Sequence, residues 1–166
     1  MKKNFINSER SRTIFLQAVI VALSILALAI MVRFPLTEGR AANLDLFHIY
    51  SDPFIIYGYL ASIPFFIALY QAFKLLGYIG QNKVFSLNSV RALRIIKYCA
   101  ITQSILIVAA ALYIRIFHAK DDDPAGFIAI AILVTFTSIV IATAAAIFER
   151  TLQSAVDIKF ENDLTV

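Results

Sequence analysis

"AGFIAIAILVTFTSIVIATAAAIF", residues 125–148, contains no Asp, Glu, Lys or Arg. A helix of about 20 residues, rising about 1.5 Å per residue, crosses a hydrocarbon core about 30 Å thick. A charge at mid-bilayer costs about 2.5–3.5 kcal/mol on insertion scales, so this stretch reads as a membrane span. Ile14–Val32, Pro53–Phe73 and Ile95–Ile114 are likewise free of charge in their middles. The whole chain agrees: 60% of its 166 residues are apolar, 16% are charged, and the mean hydropathy is +0.80. Soluble domains run near 45–50% and about 25%.

The expected fold is therefore an all-α integral membrane protein, one four-transmembrane-helix bundle over residues 1–166. Its spans are placed at about 13–34, 53–76, 92–117 and 124–150, with a helical tail at 151–166. A basic N-terminus before the first span and "EGRAAN" after it imitate a secretory signal. The apolar run is longer than the usual core of about 7–15 residues, so cleavage is not expected.

Charge sets the orientation. Eleven of the 15 Lys and Arg fall at the N-terminus, between spans two and three, and in the tail; four fall on the other side. The positive-inside rule puts both termini and the middle loop in the cytoplasm, an N-in/C-in arrangement. The pI near 9.3 is then a consequence of topology, and direct nucleic-acid binding is not expected. A basic inner face also suits anionic lipid headgroups. Tyr50, Tyr57, Tyr59 and Tyr113 fall near the outer boundary and Tyr70, Tyr78 and Tyr98 near the inner one, as amphipathic rings prefer. Lys74 and Lys97 are placed to snorkel.

Spans two and four start alike, with "SDPF" at 51–54 and "DDDPAGF" at 121–127. Asp52 and Asp123 suit N-caps, and Pro53 and Pro124 a first helical position. Arg33 and Arg115 close spans one and three, so the chain reads as two hairpins of similar plan. Small residues at helical spacing are Ala18, Ala22 and Ala29 in the first span and Ala61, Ala68 and Ala72 in the second. Ala100, Ser104 and Ala111 follow in the third, and Ser138, Ala142 and Ala145 in the fourth. Such residues let helices approach closely in lipid, either within a bundle or in a homo-oligomer. Pro64 should kink the second span.

Chemistry is sparse. An ionisable residue at mid-membrane marks function by default, and none stands there. Gln17, Gln71, Thr102, Gln103, Thr135, Thr137 and Ser138 are expected to bridge helices rather than bind a solute. His48 and His118 fall in predicted outer loops without ligand spacing, and are read as solvated. Asp121, Asp122 and Asp123 are read as a solvated helix start favoured by the helix dipole, not as a cation site. Cys99 is a small buried residue inside span three. No nucleophile–base pair, phosphate loop or cofactor motif is present, so no catalytic, metal or cofactor site is assigned and an enzyme is not expected.

The inner surface is more informative. In "GQNKVFSLNSVRALRIIKY", residues 80–98, Ser86, Asn88 and Ser89 offer caps. Val90 and Leu93 form an apolar edge there, and Arg91, Arg94 and Lys97 a basic one. Between Ala142 and Phe160 neither Gly nor Pro interrupts, so the fourth helix should run on by about three turns. Leu152, Val156 and Phe160 make a stripe beside a polar face of Glu149, Gln153, Asp157 and Glu161. That stripe needs a covering: residues 80–94, a second copy, or a partner. Leu164 and Val166 are read as a short extended end suited to strand addition.

These stretches resemble the bacterial membrane family known as domain of unknown function 2975 (DUF2975). The likeness rests on a Phe-Ser/Thr start to the third helix (Phe85, Ser86, Val90, Leu93, Arg94). It also rests on a Glu-x-Asp-Leu-Thr-aliphatic ending (Glu161, Asp163, Leu164, Thr165, Val166). Members often carry an acid followed by Asn where this chain has Asn88 and Ser89. The resemblance extends over nearly the whole chain and implies no known reaction. It implies genes that neighbour one for a small helix-turn-helix regulator, and hence a cytoplasmic protein partner.

Two readings follow. A non-enzymatic regulatory or sensory protein would hold its partner on Phe85–Arg94 together with Leu152–Val166. A small transporter or export subunit would act as an oligomer with a polar path across the bundle.

Overall fold

A computed structural model describes residues 2–37, 46–117 and 125–164. Among these residues the regular elements are all helical: α1 (Lys2–Thr37), α2 (Leu46–Tyr50), α3 (Pro53–Gly80), α4 (Leu87–Phe117) and α5 (Ala125–Leu164). Four of them are long and apolar enough to cross a membrane, over Ser11–Leu36, Pro53–Gly80, Leu87–Phe117 and Ala125–Asn162. His118, Asp121–Asp123, Pro124, Thr165 and Val166 lie outside the described residues.

The long helices pack in chain order. α4 against α5 is the most extensive pairing, followed by α3 against α4 and α1 against α3. α1 and α5 make at most marginal contact, so the four helices form an open array rather than the compact bundle that the small-residue stripes suggest.

The burial pattern explains this order. On α5 the buried positions are Ala131, Ser138, Ala142, Ala145, Glu149 and Val156, a seam at steps of three, four and seven residues. On α4, Ser89, Leu93, Ala100 and Ala110 are buried in a matching row. That spacing keeps one face on a partner helix, and small side chains there bring backbones close. On α1 the row turned inward is Thr13, Gln17, Ile20, Ser24, Ala27 and Met31. Ala18, Ala22 and Ala29 are exposed to the surroundings instead.

Local chemistry fixes each end. Asp52 caps α3, accepting from Phe54 N at 2.7 Å and Ile55 N at 3.4 Å, with Pro53 in the first turn. α3 continues through Pro64 to Gly80 without a break. Near the end of α1, Pro35 has no N–H to return to Met31. Tyr59 of α3 donates its hydroxyl to that Met31 carbonyl at 3.0 Å, and Tyr50 of α2 donates to Val32 O at 3.1 Å. The two tyrosine rings stack with centroids 6.5 Å apart. Tyr57 reaches the other neighbour, donating to Leu106 O on α4 at 2.6 Å. These tyrosines are interhelical latches.

The hydroxyls within the spans are mostly spent locally. Ser24, Ser104, Thr137 and Thr143 each bond to the carbonyl four residues earlier at 2.9 Å. This is the ordinary way a helix satisfies Ser and Thr in lipid, and for Thr137 it differs from the expected bridging role. Gln17 does bridge, donating to Phe73 O of α3 at 3.1 Å.

Candidate functional site

The densest polar structure lies where α3 ends, α4 begins and the last third of α5 passes by. α3 stops as Gln81 N–H turns back to Gly77 O and Tyr78 O at 3.2 and 3.3 Å. Asn82 follows with φ 56°, a left-handed conformation that Asn adopts more readily than most residues. Lys83 N–H closes the turn on Tyr78 O at 2.9 Å. Ser86 then caps α4: its Oγ accepts from Ser89 N at 3.4 Å and lies 3.1 Å from Ser89 Oγ. Ser89 is wholly buried and donates to Lys83 O at 3.3 Å, tying the loop to the first turn of α4.

One turn further along, α4 meets α5 through charge. Arg94 Nε donates to Glu149 Oε1 at 2.7 Å, and Lys97 Nζ donates to Glu149 Oε2 at 2.6 Å. The Glu149 side chain is only 10% exposed, against 21% for Lys97 and 53% for Arg94. The carboxylate thus sits in the seam with both oxygens engaged, and the cations come from its partly exposed rim. A buried charge is tolerated only when paired and hydrogen-bonded in this way. Glu149 is therefore a seam residue, where the stripe reading placed it on a polar face beside Gln153 and Asp157. Those two do pair at the surface, Gln153 Nε2 donating to Asp157 Oδ1 at 2.8 Å.

Beyond the ion pairs, an open groove of about 910 Å³ runs between the 81–88 segment and α5. Lys83 and Asn82 line one wall, Lys159 and Asn162 the other, with Phe85 and Ile158 as apolar surface. Phe85 and Ile158 are each 59% exposed.

The candidate partner-binding residues divide by burial. Val90, Leu93 and Val156 are covered by the chain itself, and Leu152 is half-buried. Ser86 is the cap, and Arg94 is held by Glu149. Phe85, Phe160 and Glu161 are exposed. Asp163 and Leu164 belong to the last turn of α5, so Leu164 falls in the helical tail placed at 151–166 and not in the alternative extended end. Thr165 is outside the described residues. Pattern reading missed the Glu149 centre and the groove lysines. A usable signal existed: in a hairpin the start of α4 and the far part of α5 lie at one membrane depth, which brings Arg94 and Lys97 level with Glu149.

Four apolar helices joined in this order define a multi-pass α-helical membrane protein. The sequence profile described as "Protein of unknown function (DUF2975)" matches residues 36–166, and the chain belongs to that family. It is similar to "Uncharacterized membrane protein YoaS" of Bacillus subtilis (strain 168), at 47% identity over 160 residues, covering 95% of this chain and 99% of that protein. No solved structure matches the chain.

Proposed function

We propose that this protein is a non-enzymatic regulatory or sensory component of the bacterial cytoplasmic membrane. Both termini face the cytoplasm, and the groove-bearing end holds a cytoplasmic protein, such as a helix-turn-helix transcription regulator. The observation that carries the reading is the open groove at the α3–α4 turn, lined by exposed Phe85 and Ile158. It lies beside a helix junction that joins small-residue packing to the paired charge of Glu149. The excess of Lys and Arg on this side supports a cytoplasmic placement. α5 supports it too: its 40 residues measure about 60 Å, twice the hydrocarbon thickness, and the charged positions begin at Glu149.

Topology is tested with single cysteines at Ser51 and Asn88 in a Cys99→Ala background. An impermeant maleimide added to intact cells should label position 51 and spare position 88; the opposite result reverses the orientation. Function is tested by copurification from detergent and by deleting residues 152–166. Recovery of a regulator and altered transcription are expected. Failure to recover a regulator, together with unchanged transcription in the deletion, would overturn the proposal.

A further inference from the structure

The charge around the groove is one-sided. Lys83 and Lys159 line it from opposite walls, and no Asp or Glu is among the described lining residues. Among the described residues neither lysine has a carboxylate within ion-pairing distance, whereas Arg94 and Lys97 one turn away are both taken up by Glu149. The side-chain amides of Asn82 and Asn88, which supply both donors and acceptors, stand on the loop side of the groove. Phe85 and Ile158 give it exposed apolar surface. Its volume of about 910 Å³ is near the top of the roughly 300–1,000 Å³ range of small-molecule pockets, and its open side admits a chain.

We infer that the groove between the 81–88 turn and α5 binds an acidic, apolar-flanked peptide segment of a cytoplasmic protein. Carboxylates of that segment meet Lys83 and Lys159, its apolar side chains lie on Phe85 and Ile158, and the loop amides hold its backbone. Charge complementarity of this kind governs partner choice and association rate more than raw affinity. The inference rests on the cytoplasmic-partner reading and adds the partner's chemistry.

The test uses the full chain in living cells. p-Benzoylphenylalanine is placed at Phe85, at Ile158, at Arg91 on the same end of α4, and at Tyr113 at its far end. Ultraviolet crosslinking from positions 85 and 158 should yield an adduct whose mapped peptide is acidic, with none from 113. Lys83→Glu with Lys159→Glu should lower that adduct at least tenfold at unchanged membrane level, and Glu→Lys changes in the mapped segment should restore at least half of it. Both lysines are exposed, so the charge reversal leaves the fold intact. Adducts at 85 and 158 only to lipid, to a second copy, or to a neutral or basic segment would overturn the inference. An adduct from 91 alone would overturn the groove while leaving the partner reading standing. Silence at all inner positions would overturn both.

Discussion

The α4–α5 and α1–α3 junctions solve one problem, holding apolar helices together in an apolar solvent, by different means. At α4–α5 a row of small residues brings the backbones close, and the ion centre on Glu149 closes the groove-bearing end. At α1–α3 side chains reach for main-chain carbonyls: Gln17 to Phe73, and Tyr59 to the Met31 carbonyl that Pro35 leaves open. One junction is specified by charge and the other by backbone accessibility. Lipid supplies no hydrophobic drive to either, so each depends on packing and polar contacts.

The sharpest way to break the contrast is Glu149→Gln. It leaves Arg94 and Lys97 side by side without their shared carboxylate, and removing one partner costs far more than replacing the whole set. The unfolding midpoint in detergent should fall on the order of 5 °C. Replacing all three residues with Leu should recover much of that loss. An unchanged midpoint for Glu149→Gln would show that the seam does not depend on charge.

Gln103 offers a test on α4 itself. Its Oε1 is the buried side-chain oxygen that finds no partner among the described residues. Because an unsatisfied buried acceptor costs about 1–3 kcal/mol, Gln103→Leu should stabilise the protein by about 1 kcal/mol. A loss of stability in the same melt would mean that this amide is engaged.

These sites also show what the sequence made legible. Charge-free runs announced the four spans, because hydropathy is a local property that needs no partner. Asp52–Pro53 announced the start of α3 for the same reason. The uninterrupted stretch after Ala142 matches the length of α5. Helix order and facing were not local. Ala18, Ala22 and Ala29 make a stripe as convincing as the Thr13–Met31 row, and only the packed structure distinguishes them. The Glu149 centre was hidden because its three residues were each sorted by their own helix face. Matching depths across the hairpin would have joined them.

On the α1–α3 side, the effect of Tyr59 should depend on Pro35. Tyr59→Phe removes a hydrogen bond of the class worth about 0.6 kcal/mol, with a maximum near 1.7. In a Pro35→Ala background residue 35 has an N–H for Met31, and Tyr59→Phe should then cost almost nothing. A double-mutant cycle in detergent measures the coupling, and additive losses would show that the proline does not create the acceptor.

The smallest effect separates close approach from propensity. A Cβ added at Gly80 would lie 3.2 Å from Thr13 Cγ2, while one at Gly58 meets nothing within 4 Å. Alanine is favoured over glycine by about 0.8–1 kcal/mol in a helix interior, and less near an end. Gly58→Ala should therefore raise the midpoint slightly. Gly80→Ala should gain nothing, because the methyl group of Thr13 must give way against α3. Thr13→Ser removes that methyl and keeps the hydroxyl, so in that background Gly80→Ala should recover the gain seen at Gly58. Equal gains at both glycines in the original chain would remove close approach from the account of α1–α3, leaving its polar contacts to the carbonyls as the specific tie.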